Sequence, residues 1–110
     1  MGRGNSAEHP GALLRDSILP ALHLTVSQAA RDLLISRQTL HRILAGQAAI
    51  TPDMAVRIEK LCGISSGFWL DRQQIYEVER VSETNRELLP RIPSRTLPSS
   101  VLKRMGIADG

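Results

Sequence analysis

The stretch from Thr25 to Gly46, TVSQAARDLLISRQTLHRILAG, constrains this chain more than any other, because it reads as two short helices joined by a tight turn. Thr25 and Gln28 stand in the T-x-x-Q spacing of a capping box, so a helix is expected to begin just after Thr25, with Ser27 as the alternative cap. Val26, Ala29, Ala30, Leu33 and Leu34 then recur at i, i+3, i+4, i+7 and i+8, the pattern that buries one helical stripe. Leu34 and Ile35 interrupt that helix. Ser36 can accept from the first free N–H groups of a second helix, Arg37 to about Ala45, and Gly46 can supply the positive φ that ends it.

On the second helix Leu40, Ile43 and Leu44 fall on one side, while Gln38, His41, Arg42 and Ala45 project from the other and Arg37 and Thr39 flank the first turn. Such a face offers bidentate donors for guanine, paired donor and acceptor atoms for adenine, and cations for phosphate. By itself it is equally an ordinary solvated face. The preceding helix adds weight to the DNA reading, because Ala30 is small where two steeply crossing helices must approach and the short turn has helix-turn-helix spacing. The residues expected to face DNA are Gln28, Ser36, Arg37, Gln38, Thr39, His41 and Arg42.

With 110 residues the chain has room for one domain with one modest core. Aromatic residues make up only 3%, so the core is expected from Leu, Ile, Val and Ala. A net charge of +3 favours a polyanion without identifying one. Cys62 is the one cysteine, which excludes an intrachain disulfide framework and favours a reducing compartment. No apolar run has the length of a membrane span or a signal peptide, so a soluble, cytoplasmic protein is expected, with no membrane partner.

Residues 1–9 are expected to form a flexible polar arm. Pro10 suits a first helical turn, Leu13, Leu14, Ile18 and Leu22 recur at helical spacing, and Pro20 is expected to end or kink that helix near Leu19. Thr51-Pro52-Asp53 looks like an N-cap, a first-turn proline and an acid facing the helix dipole, opening a helix that buries Met54, Ala55, Ile58, Leu61 and Cys62 and stops at Gly63. At its end Cys62 reads as a small core residue, since no histidine lies nearby in the chain. Ser65 is expected to cap a last helix running to about Val81. Phe68, Trp69, Ile75 and Tyr76 form one apolar sector and Leu70, Val78 and Val81 a second, and the second is expected to be the interface of a homodimer. Trp69 and Tyr76 read as core or interface residues rather than a base-stacking platform.

Residues 82–110 change character, with Pro90, Pro93 and Pro98 breaking the chain and Arg86, Arg91, Arg95, Lys103 and Arg104 set against Glu83, Glu87 and Asp109. This is read as a proline-rich basic tail, partly disordered or with one short helix in SSVLKRMG capped by Ser99 or Ser100.

Four motifs, HPG at residues 9–11, SRQTL at 36–40, ITPDMAVR at 50–57 and FWL at 68–70, carry a family resemblance that no single helix pair would. Residues 9 to about 81 resemble the lambda-repressor-like, XRE-type helix-turn-helix proteins and, within them, the HigA-type antitoxins. The resemblance implies an all-α, five-helix domain over residues 10–81, a homodimer on a palindromic double-stranded operator, repression of its own operon, and neutralisation of a small basic toxin similar to ribosome-dependent messenger-RNA interferases. A stand-alone phage-type repressor of the same fold, with no toxin partner, is the alternative. A protein-interaction module whose second helix no longer touches DNA is a third reading, disfavoured by Arg37, Gln38 and Arg42. Two departures stand out: Leu34 occupies a turn position often filled by glycine, and the tail after Ser82 is longer than the family pattern.

Catalysis is not expected. His9, His23 and His41 are widely separated, and the chain has no H-x-x-x-H, C-x-x-C, P-loop or G-x-G-x-x-G pattern to hold a metal, cofactor or nucleotide.

Overall fold

A computed structural model describes residues 7–107. Those residues contain helices and turns and no strand. Helix α1 has three consecutive parts: an α-helical turn Pro10–Leu13, a π-helical turn Leu14–Ile18 and an α-helical turn Leu19–Ala21. Helices α2 (Val26–Leu33), α3 (Arg37–Leu44), α4 (Pro52–Cys62) and α5 (Ser66–Thr84) complete the five-helix domain. A 3-10 turn (Leu89–Arg91) and a short α6 (Ser99–Arg104) follow.

Most boundaries follow from local capping. Thr25, Ser36, Thr51 and Ser65 each accept the N–H three residues on, and Thr25 with Gln28 forms the complete capping box, leaving Ser27 no capping role. Gly46 and Gly63 lie at φ 76° and 86°, ending α3 and α4 as expected.

Pro20 does not end α1. The Leu19 N–H already donates to the Leu14 carbonyl, five residues back, so the chain has changed register before it reaches the residue that lacks an N–H. The same wide turn brings Leu19, 4% exposed, onto the buried face with Leu14, whereas Leu22 is 40% exposed. His9 is not part of a free arm: it is buried, and its Nδ1 accepts from the Gly11 N–H at 2.9 Å as the N-cap of α1. Residues 1–6 of the expected arm, and Asp109 in the tail, lie outside the described residues.

The core gathers Leu14, Ala29, Leu33, Leu40, Ile43, Ile50, Ala55 and Ile58 around a fully buried Trp69. Valine, expected from composition, is absent from the buried set, and Met54 and Trp69 stand in its place. Cys62 is half-buried against the core, as its position on α4 implies.

The two sectors of α5 are rearranged. Leu70, assigned to the dimer face, packs against the core, while Ile75, assigned to the core, is 56% exposed beside Val78 and Val81. At 100° per residue Leu70 and Ile75 each stand about a third of a turn from Trp69, on opposite sides. Periodicity cannot rank them; the domain lies on Leu70's side. Helix α5 also continues to Thr84 rather than stopping near Val81. Helix α6 starts from Pro98, with neither Ser99 nor Ser100 as its cap.

Candidate nucleic-acid interface

On α3, Leu40, Ile43 and Leu44 are buried, and Arg37, Gln38, Thr39, His41 and Arg42 are all exposed. Ser36 Oγ accepts the Thr39 N–H at 3.0 Å and donates to Thr39 Oγ1 at 2.9 Å, so these two side chains hold the first turn. Arg42 bends toward the end of the helix, its Nη2 donating to the Gln47 carbonyl at 3.3 Å. Gln28 on α2 accepts the Thr25 N–H with Oε1 at 3.0 Å, which leaves its two Nε2 hydrogens as outward donors at the start of that helix.

The turn between the helices is made by Leu34 at φ 60°, ψ 42°. Its N–H donates to the Arg31 carbonyl and the Ile35 N–H to the Ala30 carbonyl, the bond pair of a Schellman end in which glycine is the usual residue. Leu34 is 82% exposed, so little packing offsets the left-handed conformation. The offset comes from α4. Arg57 Nη1 donates to the carbonyls of Leu33 at 2.8 Å and Leu34 at 3.1 Å, while its Nε pairs with Asp53 at 3.2 Å. One guanidinium thus occupies the free carbonyls at the end of α2 and sets the angle at which α3 leaves.

The far end of α3 is held just as firmly. Arg15 Nη1 donates to the Leu44 carbonyl at 3.1 Å, and the His9 ring covers Gly46. Gln73 on α5 is buried, accepts the Ile50 N–H at 2.9 Å and donates to Glu77 at 2.8 Å, tying down the loop after α3. Burial holds the His9 pKa below its ordinary value against a hydrogen bond to Ala48 that favours the charged ring. Sequence reasoning missed Arg57, Arg15 and Gln73. The Asp53–Arg57 spacing on α4 reads as a surface i,i+4 pair, and nothing local shows that the arginine reaches a turn more than twenty residues away.

Trp69 is fully buried and cannot stack on a base; Tyr76 packs edge-on against His9, with ring centroids 4.9 Å apart. Among the described residues no group of His, Cys, Asp and Glu is placed to hold a metal, and no helix is long and apolar enough to cross a membrane.

The helix-turn-helix family matches residues 14–69, which span most of α1, then α2, the turn, α3 and α4, and the first residues of α5. The chain belongs to that family. Within the helix-turn-helix proteins it is of the XRE type and has the fold of the HigA antitoxins. It is 31% identical to virulence-associated protein A of Dichelobacter nodosus over 92% of this chain and 100% of that protein. Among solved structures it is similar to the Pseudomonas aeruginosa antitoxin HigA with the higBA promoter, at TM-score 0.76 and 28% identity, over 83% of this chain and 99% of that one. An addiction module antidote protein of the HigA family from Coxiella burnetii matches at TM-score 0.75 and 25% identity, over the same shares of the two chains.

Proposed function

We propose that this protein is the antitoxin of a type II toxin–antitoxin pair and represses its own operon by reading a palindromic operator through α3. The observation that carries the DNA reading is the exposed set Arg37, Gln38, His41 and Arg42 on a helix whose other face is buried and whose two ends are clamped by Arg57 and Arg15. A helix held this rigidly delivers its side chains to a groove with little ordering cost. In this reading Gln38, with a donor and an acceptor on one amide, reads a base edge, Arg37 and His41 stand beside it, and Gln28 Nε2, Ser36, Thr39 and Arg42 contact the flanking backbone. Two copies joined through Val78, Val81 and the newly exposed Ile75 on α5 set their recognition helices about 34 Å apart on adjacent major grooves. The toxin is a small basic protein of the ribosome-dependent interferase type, bound by the outside of the helical domain. The likeness to the HigA antitoxins supports that part.

The test has two arms. The Arg37→Ala, Gln38→Ala, Arg42→Ala variant should lose retardation of the DNA upstream of its own gene. The same variant should still co-purify with the product of the adjacent gene and rescue growth when that product is expressed. A harmless neighbour that does not co-purify would make the chain a stand-alone repressor, and unchanged operator affinity would remove α3 from the interface.

A further inference from the structure

The radius of gyration is 18.1 Å, against about 13 Å for a compact domain of this length, and the longest dimension is 53 Å. The long α5 and the C-terminal arm that follows it lengthen the molecule. Leu88, Leu89, Ile92, Leu97, Met105 and Ile107 are all about half exposed or more. From residue 88 to the last described residue the arm carries Arg91, Arg95, Lys103 and Arg104 and no acid. Its turns remain hydrogen-bonded past Thr84, with the Leu89 N–H on the Asn85 carbonyl and the Ile92 N–H on the Leu89 carbonyl, so the apolar residues are carried on an ordered extension.

The exposed side of α5 has the opposite character. Ile75 and Val78 line a shallow groove with Gln74 and Glu79, and Asp71 lies one turn earlier on the same face. The two arginines of that helix region are turned to other work, Arg72 over the Phe68 ring at 4.8 Å and Arg80 over the Tyr76 ring at 5.5 Å. Among the described residues neither Asp71 nor Glu79, whose Oε1 accepts the Ala7 N–H at 2.6 Å, nor any of the four cations of the arm, has an ion-pair partner. An acidic apolar groove and a basic apolar arm on the same chain are complementary, yet in one chain they do not meet.

We infer that the C-terminal arm of one copy lies along the α5 groove of a second copy, so that the two-fold pair is closed by exchanged arms. The inference rests on the α5 dimer proposed above and adds its second contact. In an antiparallel pair crossing near Val81, residues equidistant from the crossing meet. Leu88 of one copy then comes over Gln74 of the other, beside Ile75, and Arg91 over Asp71. The apolar residues of both elements leave water, and each two-fold interface makes every charge contact twice.

The experiment uses two full-length charge variants. The first carries Arg91→Glu and Arg95→Glu on the arm; the second carries Asp71→Lys and Glu79→Lys on the groove. Sedimentation equilibrium should show each variant alone with a dimer dissociation constant raised about tenfold, since several exposed pairs become repulsive. A one-to-one mixture should recover heterodimers within about threefold of the unmodified chain, because each reversed arm then meets a reversed groove or each native arm a native one. An arm folded back on its own groove would gain nothing from mixing, and that outcome overturns the exchange. Variants that dimerise like the unmodified chain also overturn it. Val78→Asp separates this from the dimer itself: monomers from Val78→Asp with no effect of charge reversal leave the dimer and remove the arm, whereas dimers that survive Val78→Asp remove the α5 interface and the exchange with it.

Discussion

Gly11 of α1 lies directly against the Ile43 carbonyl of α3: a methyl group on Gly11 would overlap that oxygen and reach within 2.9 Å of the carbonyl carbon. The HPG motif is therefore a packing device. His9 caps α1, Pro10 fills its first position, and Gly11 lets the helix touch the backbone of α3. Gly11→Ala must push the two helices apart, with an expected cost of about 1–3 kcal/mol as overpacking. Trp69, the single tryptophan, reports unfolding by fluorescence in urea. A midpoint unchanged from the native chain would mean that α1 moves freely on α3.

Leu34→Gly should stabilise the protein. Relief of the left-handed conformation is worth about 1–2 kcal/mol, and glycine's greater freedom in the unfolded chain returns about 0.5–1 kcal/mol of that. The exposed side chain forfeits little packing. A higher urea midpoint with an unchanged slope checks the prediction, and a lower midpoint would show that the Leu34 side chain contributes contacts beyond those of Val56 and Arg57 beside it.

Arg57→Met should act in the opposite sense, because it keeps the stem against α4 while removing the donors to the Leu33 and Leu34 carbonyls. We expect a loss of about 1–3 kcal/mol. Operator affinity should fall more than in a surface variant such as Lys60→Met. Equal effects on affinity would separate the turn clamp from DNA reading.

His9 makes stability depend on pH with a defined sign. Its folded pKa lies below the ordinary 6.5, so between those two values the unfolded chain binds more protons. The contribution is fully present above 6.5, declines as pH falls through the lowered folded value, and is constant below it. Protonating Nδ1 would also cost the cap to the Gly11 N–H. His9→Asn retains a capping side chain and should flatten this part of the curve; an equal slope in both proteins would remove His9 as its source.

Gln38 and Arg42 should fail differently on DNA. Gln38→Ala is expected to cost about 1–3 kcal/mol at one operator position and to relax preference there. Arg42→Ala should weaken all sequences alike and reduce the salt slope by about one unit. Competition with single-base operator variants at two salt concentrations distinguishes them, and a uniform loss from Gln38→Ala would move it to the backbone.

The sequence by itself determined what is set within one turn of helix. The capping box of Thr25 and Gln28, the Ser36, Thr51 and Ser65 caps, the glycine ends at Gly46 and Gly63, and the split of α3 into buried Leu40, Ile43 and Leu44 and an outward polar face depend on bonds and spacings of three or four residues. The turn at Leu34 stood out only as a position that the family it resembles often fills with glycine, and its left-handed backbone is set by the packing of α3 and by Arg57 of α4. Only the tertiary structure decided how that unit is held. Arg57 reaches Leu34, Arg15 reaches Leu44 and Gln73 reaches Ile50 across separations that no local pattern encodes. The exchange of Leu70 and Ile75 between core and surface has the same origin, since a helix with apolar residues on both sides of Trp69 cannot specify which side its domain occupies. Pro20 is the converse case: the local rule to stop a helix was overridden because a π turn, supported by burial of Leu14 and Leu19, removed the hydrogen bond that proline would have broken.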